Sequence, residues 1–180
     1  TRYAFLIEDI EVLASRNNSF VVKSENLRMR HINSASMIQL SMFQYMIGNV
    51  DWSITKQHNV KLIKVNELRE ELPYAIPYDF DYAGFVNATY AINVQNPDIS
   101  SVKTRMFVGI CYTKDEYQEI VKRFSEKKDE INTLINNFEL LETKTKKRIS
   151  NYINDFQKLI EQPDFYEKHV LPLCKNFNSN

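Results

Sequence analysis

Three aspartates, two asparagines and one histidine stand close together in the middle of the chain. They occur as Ile47-Gly48-Asn49-Val50-Asp51-Trp52-Ser53, then His58-Asn59, then Pro77-Tyr78-Asp79-Phe80-Asp81-Tyr82-Ala83-Gly84. Asp and Asn oxygens are the hard donors that Mg²⁺ prefers. A magnesium site needs only one or two carboxylates, because phosphate oxygens and water complete the shell. An Asp held apart from the ion can orient or deprotonate a hydroxyl nucleophile. One carboxylate for the nucleophile, with an Asn and a second carboxylate for the cation, is the division of labour that phosphoryl transfer needs.

Such residues act only if the elements around them bring them together. From Ser34 to Ile47 the apolar positions surround most of a helix, as expected of one buried within a domain. Gly48 and Asn49 both tolerate the left-handed conformation of a helix stop, which leaves Asp51 just beyond the helix. Val60 to Val65 reads as a strand, Tyr74 to Phe80 as a second extended run, and Asn66 to Leu72 as their polar connection. A hairpin returns its far end to its start, so Asn59 should lie across the ladder from Asp79 or Asp81, with Asp51 near. If the second strand continues through Asp81, the two carboxylates share a face and repel unless a cation or donors lie between them. A plainer reading has Asp51 capping a turn and Asn59 making a local turn hydrogen bond. Trp52 and Tyr78 read as packing residues that wall the region.

Tyr3 to Ile7 reads as a short buried strand, Asp9 to Arg16 as a helix and Phe20 to Lys23 as another strand. A strand cannot satisfy its ladder alone, and the first residue is Thr1 rather than Met, so a preceding segment is expected. Asp81 to Ser100 reads as a long irregular loop, of the kind that often carries function. Val102 to Val108 reads as a short helix, after which Thr113 and Glu116 have capping-box spacing. Ile120, Val121, Phe124, Ile131, Leu134, Ile135 and Phe138 then recur at helical spacing, as do Ile149, Tyr152, Ile153, Phe156 and Ile160. These stripes are expected to be core contacts. The fold class is therefore α+β: a small antiparallel sheet or hairpin around a buried helix, with residues 1–112 as a core portion and 113–180 as a helical hairpin or bundle packed on it.

Lys plus Arg and Asp plus Glu are equal at 23 each, and the balance holds on both sides of Tyr112. Nucleic-acid binding needs a basic surplus or patch, and the densest basic run, Lys144 to Arg148, falls within a helical pattern as a solvated face. Nucleic acid is thus excluded as an expected partner. No apolar run approaches the roughly 18 residues of a membrane span, and no signal peptide is visible. Cys111 and Cys174 belong to no metal-ligand or redox spacing and leave a disulfide open; His31, His58 and His169 form no zinc pattern.

In order and context these motifs resemble atypical kinase-like domains of the CotH and HipA type, carboxy-terminal part. Their signature runs roughly Gly-Asn-x-Asp, then Asn, then a hairpin, then Pro, an aromatic residue and Asp. Here Gly48-Asn49-Val50-Asp51, Asn59 and Pro77-Tyr78-Asp79 look like those elements, and Tyr3-Ala4-Phe5-Leu6-Ile7-Glu8-Asp9 looks like the strand of the hinge region. The pattern is also similar to a group of Bacteroidetes proteins with a Pro-Tyr-Asp-Phe-Asp-Tyr core. The resemblance covers the first two thirds of the chain. It implies Asp51 as the catalytic Asp, Asp79 as the principal metal ligand, Asn59 as the second and Asp81 as an accessory one. It implies that His58 positions a phosphate or fixes the turn, that the cofactors are Mg²⁺ and ATP, and that the partner is a hydroxyl-bearing substrate or a protein. It further implies an amino-terminal lobe before Thr1 holding the lysine that pairs with nucleotide phosphates, a role the sequence does not give to Lys23 or Lys56. Arg105 is a candidate phosphate contact or a surface residue. The alternative within the same resemblance is an inactive kinase-like scaffold, with or without a structural cation.

Overall fold

The computed structural model describes residues 6–24, 26–66, 72–92, 94 and 101–175. The fold is α+β, with a three-stranded antiparallel sheet and a helical carboxy-terminal part. Helix α1 (Ile10–Arg16) begins at Asp9, whose carboxylate accepts from the Glu11 and Val12 amides. Strands β1 (Ser19–Val21), β2 (Val60–Val65) and β3 (Tyr74–Pro77) pair in the order β1-β2-β3. In register, Phe20 faces Lys64 and Leu62 faces Ala75.

Helix α2 (Ser34–Ile47) is the centre of the molecule. Asn33 caps it, and Ser36 Oγ accepts the Ala75 amide, which stitches its first turn to β3. Its apolar residues point in all directions because β3 lies on one side and helices α3 (Lys114–Glu126) and α5 (Thr143–Ile160) on others. One hydrophobic cluster runs from Ile32 through α2, Val60 and Leu62 to Phe156 and Val170. At roughly 1.5–3 kcal/mol for each large side chain buried, this shared core is what joins the sheet to the helices. Helix α4 (Lys128–Asn137) leans on α3 and α5, and a π-helical turn, Tyr166–Val170, follows α5. The chain then returns to residues 109–111, where Lys175 pairs with Ile110 and Cys174 is disulfide-bonded to Cys111 across a Cα separation of 5.1 Å.

The structure departs from the sequence reading at several places. Of the expected strand Tyr3 to Ile7, residues 1–5 lie outside the described residues, while Leu6 and Ile7 belong to no strand and are 100 % and 59 % exposed. Val102 to Val108 is not a helix but a turn followed by an irregular run. Val102 and Phe107 are buried there, and Arg105 is held by carbonyls of two helices, so the tertiary contacts override a weak helical pattern. Leu134 and Phe138 are exposed rather than in the core. The helix is broken at Lys127, and Phe138 already has an extended backbone past the end of α4, so only Ile131 and Ile135 keep the inward phase. The second extended run leaves the sheet at Pro77 rather than Phe80. The long loop is a series of turns over 81–92; its residues 93 and 95–100, and residues 67–71 of the hairpin connection, lie outside the described residues.

Candidate functional site

The turn after α2 is built from inward-facing polar groups. Gly48 takes the left-handed conformation, φ 68°, and its amide closes the helix on Gln44 and Tyr45. Asn49, 1 % exposed, accepts the Asp51 amide at 3.0 Å and donates through Nδ2 to the Asp79 carbonyl at 3.4 Å. Trp52 and Ile54 then anchor in the core, and Ser53 and His58 exchange two backbone hydrogen bonds of 3.0 Å. This small hairpin folds the chain back so that Asn59, eight residues on, reaches Asp51. Asn59 sits at φ 54°, a conformation asparagine tolerates better than most residues. Its Nδ2 donates to the Asp51 carbonyl at 2.8 Å and to the Asp51 carboxylate Oδ2 at 3.1 Å. His58 Nε2 lies 2.9 Å from Asp51 Oδ1. Asn59 thus spends its side-chain donor on Asp51.

The second loop is tied to the first through its main chain. The ladder ends at Val60 opposite Pro77, and the Tyr78 amide adds one more bond to the Asn59 carbonyl at 3.2 Å. Beyond it the chain turns: Asp79 Oδ1 accepts the Asp81 amide at 3.4 Å, and Asp81 Oδ2 accepts the Tyr90 hydroxyl at 3.1 Å. The Tyr90 pKa is held above the usual phenol range, first because its hydroxyl donates a hydrogen bond to Asp81. Because the strand has ended, Asp79 and Asp81 do not share a strand face: one carboxylate accepts the Asp81 amide and the other the Tyr90 hydroxyl. The Gly84 amide donates to Gly48 and the Phe85 amide to Ile47, both at 3.0 Å. Asp51, His58 and Asn59 are thus in direct contact, Asp79 is joined to them through its carbonyl and its neighbour's amide, and Asp81 is turned to Tyr90.

Four residues that fix this arrangement went unassigned or misassigned in the sequence reading. Asn49 is the link between the two loops. Tyr152 of α5 places its hydroxyl against the α-carbons of both Gly48 and Gly84, where a β-carbon on either would collide with it, and donates to the Lys103 carbonyl at 3.1 Å. Arg105 lies over the Tyr152 ring at 3.6 Å, donates twice to the Met46 carbonyl at 3.2 Å and also bonds the Tyr152 carbonyl. Burial lowers the Arg105 pKa, with Tyr152 and Tyr45 opposing that shift. Arg105 is accordingly neither a surface residue nor free to meet a phosphate: its guanidinium satisfies the Met46 carbonyl at the end of α2 and bonds the Tyr152 carbonyl of α5. In the basic run, Arg148 donates to Phe85 and Val86, while Lys144 and Lys147 face solvent. The only sequence signal for these roles was a glycine in each acidic motif.

Two concavities matter. An open cleft of about 590 Å³ lies beside Asp51 and His58, floored by Trp52 and Ile54. The larger groove, about 1210 Å³, lies between α2, β3, α3 and α4, is mainly apolar and touches none of the acidic residues discussed. No group of three or more His, Cys, Asp or Glu able to hold a metal ion occurs among the described residues. Asp51, His58 and Asn59 meet through their side chains, whereas the Asp79 carboxylate accepts the Asp81 amide. No helix among the described residues is long and apolar enough to cross a membrane. No family model, curated protein or solved structure matches the chain significantly.

Proposed function

We propose that this chain is the carboxy-terminal part of an atypical kinase-like enzyme that transfers the terminal phosphoryl group of ATP to a hydroxyl. The observation that carries this reading is the double hydrogen bond from Asn59 to Asp51. It holds a partly buried carboxylate, 18 % exposed, in one orientation beside an open cleft. Asp51 takes the proton of the acceptor hydroxyl as that oxygen bonds to phosphorus and ADP leaves. His58 and Asn59 keep its two oxygens from rotating. Asp79 and Asn59 would hold Mg²⁺, which neutralises phosphate charge when bound. Asp81 is accessory, since Tyr90 already engages it. Phosphoryl transfer depends on positioning and charge, so a turn made rigid by inward polar bonds suits it.

A second reading, an inactive kinase-like scaffold, is favoured by one observation: the mainly apolar groove of about 1210 Å³ is lined by Phe80 but by none of Asp51, Asp79 and Asp81. The two are separated with the full-length protein. Millimolar ATP with Mg²⁺ should raise its melting temperature. Asp51→Asn should lower turnover by roughly 10²- to 10⁴-fold while nucleotide still stabilises, and Asp79→Ala should abolish the stabilisation itself. No thermal shift with nucleotide, or equal negligible effects of both variants, rejects the phosphotransferase.

A further inference from the structure

The cleft beside Asp51 has walls from two distant parts of the chain. One is the Ser53–His58 turn, which contributes Lys56 and His58; the other is the carboxy-terminal strap, which contributes Lys175. Lys175 is set there by the backbone, its amide donating to Gly109 at 2.8 Å and its carbonyl accepting from Cys111 at 2.9 Å. The Cys111–Cys174 bond fixes the residue before it. Asp51 is the one acidic residue lining the cleft among those described. Its carboxylate is already engaged by His58 and Asn59.

Among the described residues, neither Lys56 nor Lys175 has a carboxylate within ion-pair distance. On the helices, Lys114, Lys127, Lys128 and Lys168 each pair with one. Cations on separate walls of a concave surface reinforce each other's field and raise the local concentration of anions. The apolar side chains of Met29, Val94 and Val108 in the lining offer contact to the body of whatever lies between them.

We propose that this cleft is the acceptor site and takes an acidic protein segment, its hydroxyl residue facing Asp51 and its flanking carboxylates facing Lys56 and Lys175. The proposal rests on the phosphotransferase reading for the word acceptor, but its test does not. Three fluorescein-labelled peptides, each a serine flanked by Asp and Glu, by Ala and Gly, or by Lys and Arg, are titrated with the full-length protein without nucleotide, and anisotropy is read. The acidic peptide should bind about tenfold more tightly than the neutral one and lose affinity as salt rises. Lys56→Glu and Lys175→Glu should each weaken it by about tenfold, while Lys144→Glu, the same charge change on the outer face of α5, should leave it unchanged. Cys174→Ser should weaken it as well, since the covalent link that fixes the neighbour of Lys175 to Cys111 is then lost. Equal binding of the three peptides, or an equal effect of Lys144→Glu, overturns the proposal. An acidic preference that survives without any phosphoryl transfer keeps the cleft assignment and removes the enzyme instead.

Discussion

In the turn from Gly48 to Asn59 the two asparagine side chains look inward, whereas most charged side chains on α3 to α5 look out to water. Asn49 and Asn59 are 1 % and 7 % exposed, and each bonds the groups that hold Asp51 in place. Arg123 and Glu119 meet at 2.5 Å on α3 with more than half of each side chain in solvent. A neutral amide therefore contributes more to this fold than a charged pair. Removing the Asn49 amide leaves the Asp51 N–H and the Asp79 carbonyl without their partner, while breaking the pair returns two ions to solvent.

Gly48→Ala is expected to have the largest effect. A left-handed backbone costs a non-glycine residue about 1–2 kcal/mol, and forcing atoms into a packed region costs about 1–3 kcal/mol more. Unfolding by urea should thus show a loss of roughly 2–5 kcal/mol. A loss under about 1 kcal/mol would mean that Tyr152 moves freely, and the inward region would not be the stiff one. Asn49→Ala should cost about 1–3 kcal/mol by the same measurement, since the Asp51 amide loses its acceptor. Amide exchange at Asp51 should speed up with it. Arg123→Ala should cost no more than about 1 kcal/mol and still less in high salt. If it cost as much as Asn49→Ala, the contrast between the two regions would fail.

The elements that frame the site were readable because their signals are local. The bounds of α2 and β2 follow from a continuous apolar pattern, a glycine stop and a short aliphatic run. The Thr113–Glu116 capping box marks the start of α3 as its spacing requires. Within the site, the hairpin argument expected Asn59 across from Asp79 or Asp81, but the ladder ends at Val60 opposite Pro77 and the residue bonded to the Asn59 main chain is Tyr78. It did not reveal that Asn59 touches Asp51, because that contact depends on the Ser53–His58 bridge, whose turn has no strong signature. Arg105 and Tyr152, forty-seven residues apart, gave no sign of stacking on one another.

The order of amino acids alone determined an α+β chain with balanced charge, a buried central helix stopped by glycine, and three acids gathered around a hairpin. Those features depend on period, turn chemistry and composition, which act over a few residues. Only the tertiary structure decided that Asp81 turns to Tyr90, that Arg105 serves carbonyls rather than solvent, and that Lys175 shares a cleft with Asp51. Each of these depends on which distant groups remain unsatisfied after the core has closed, and that is settled by packing between elements rather than within them.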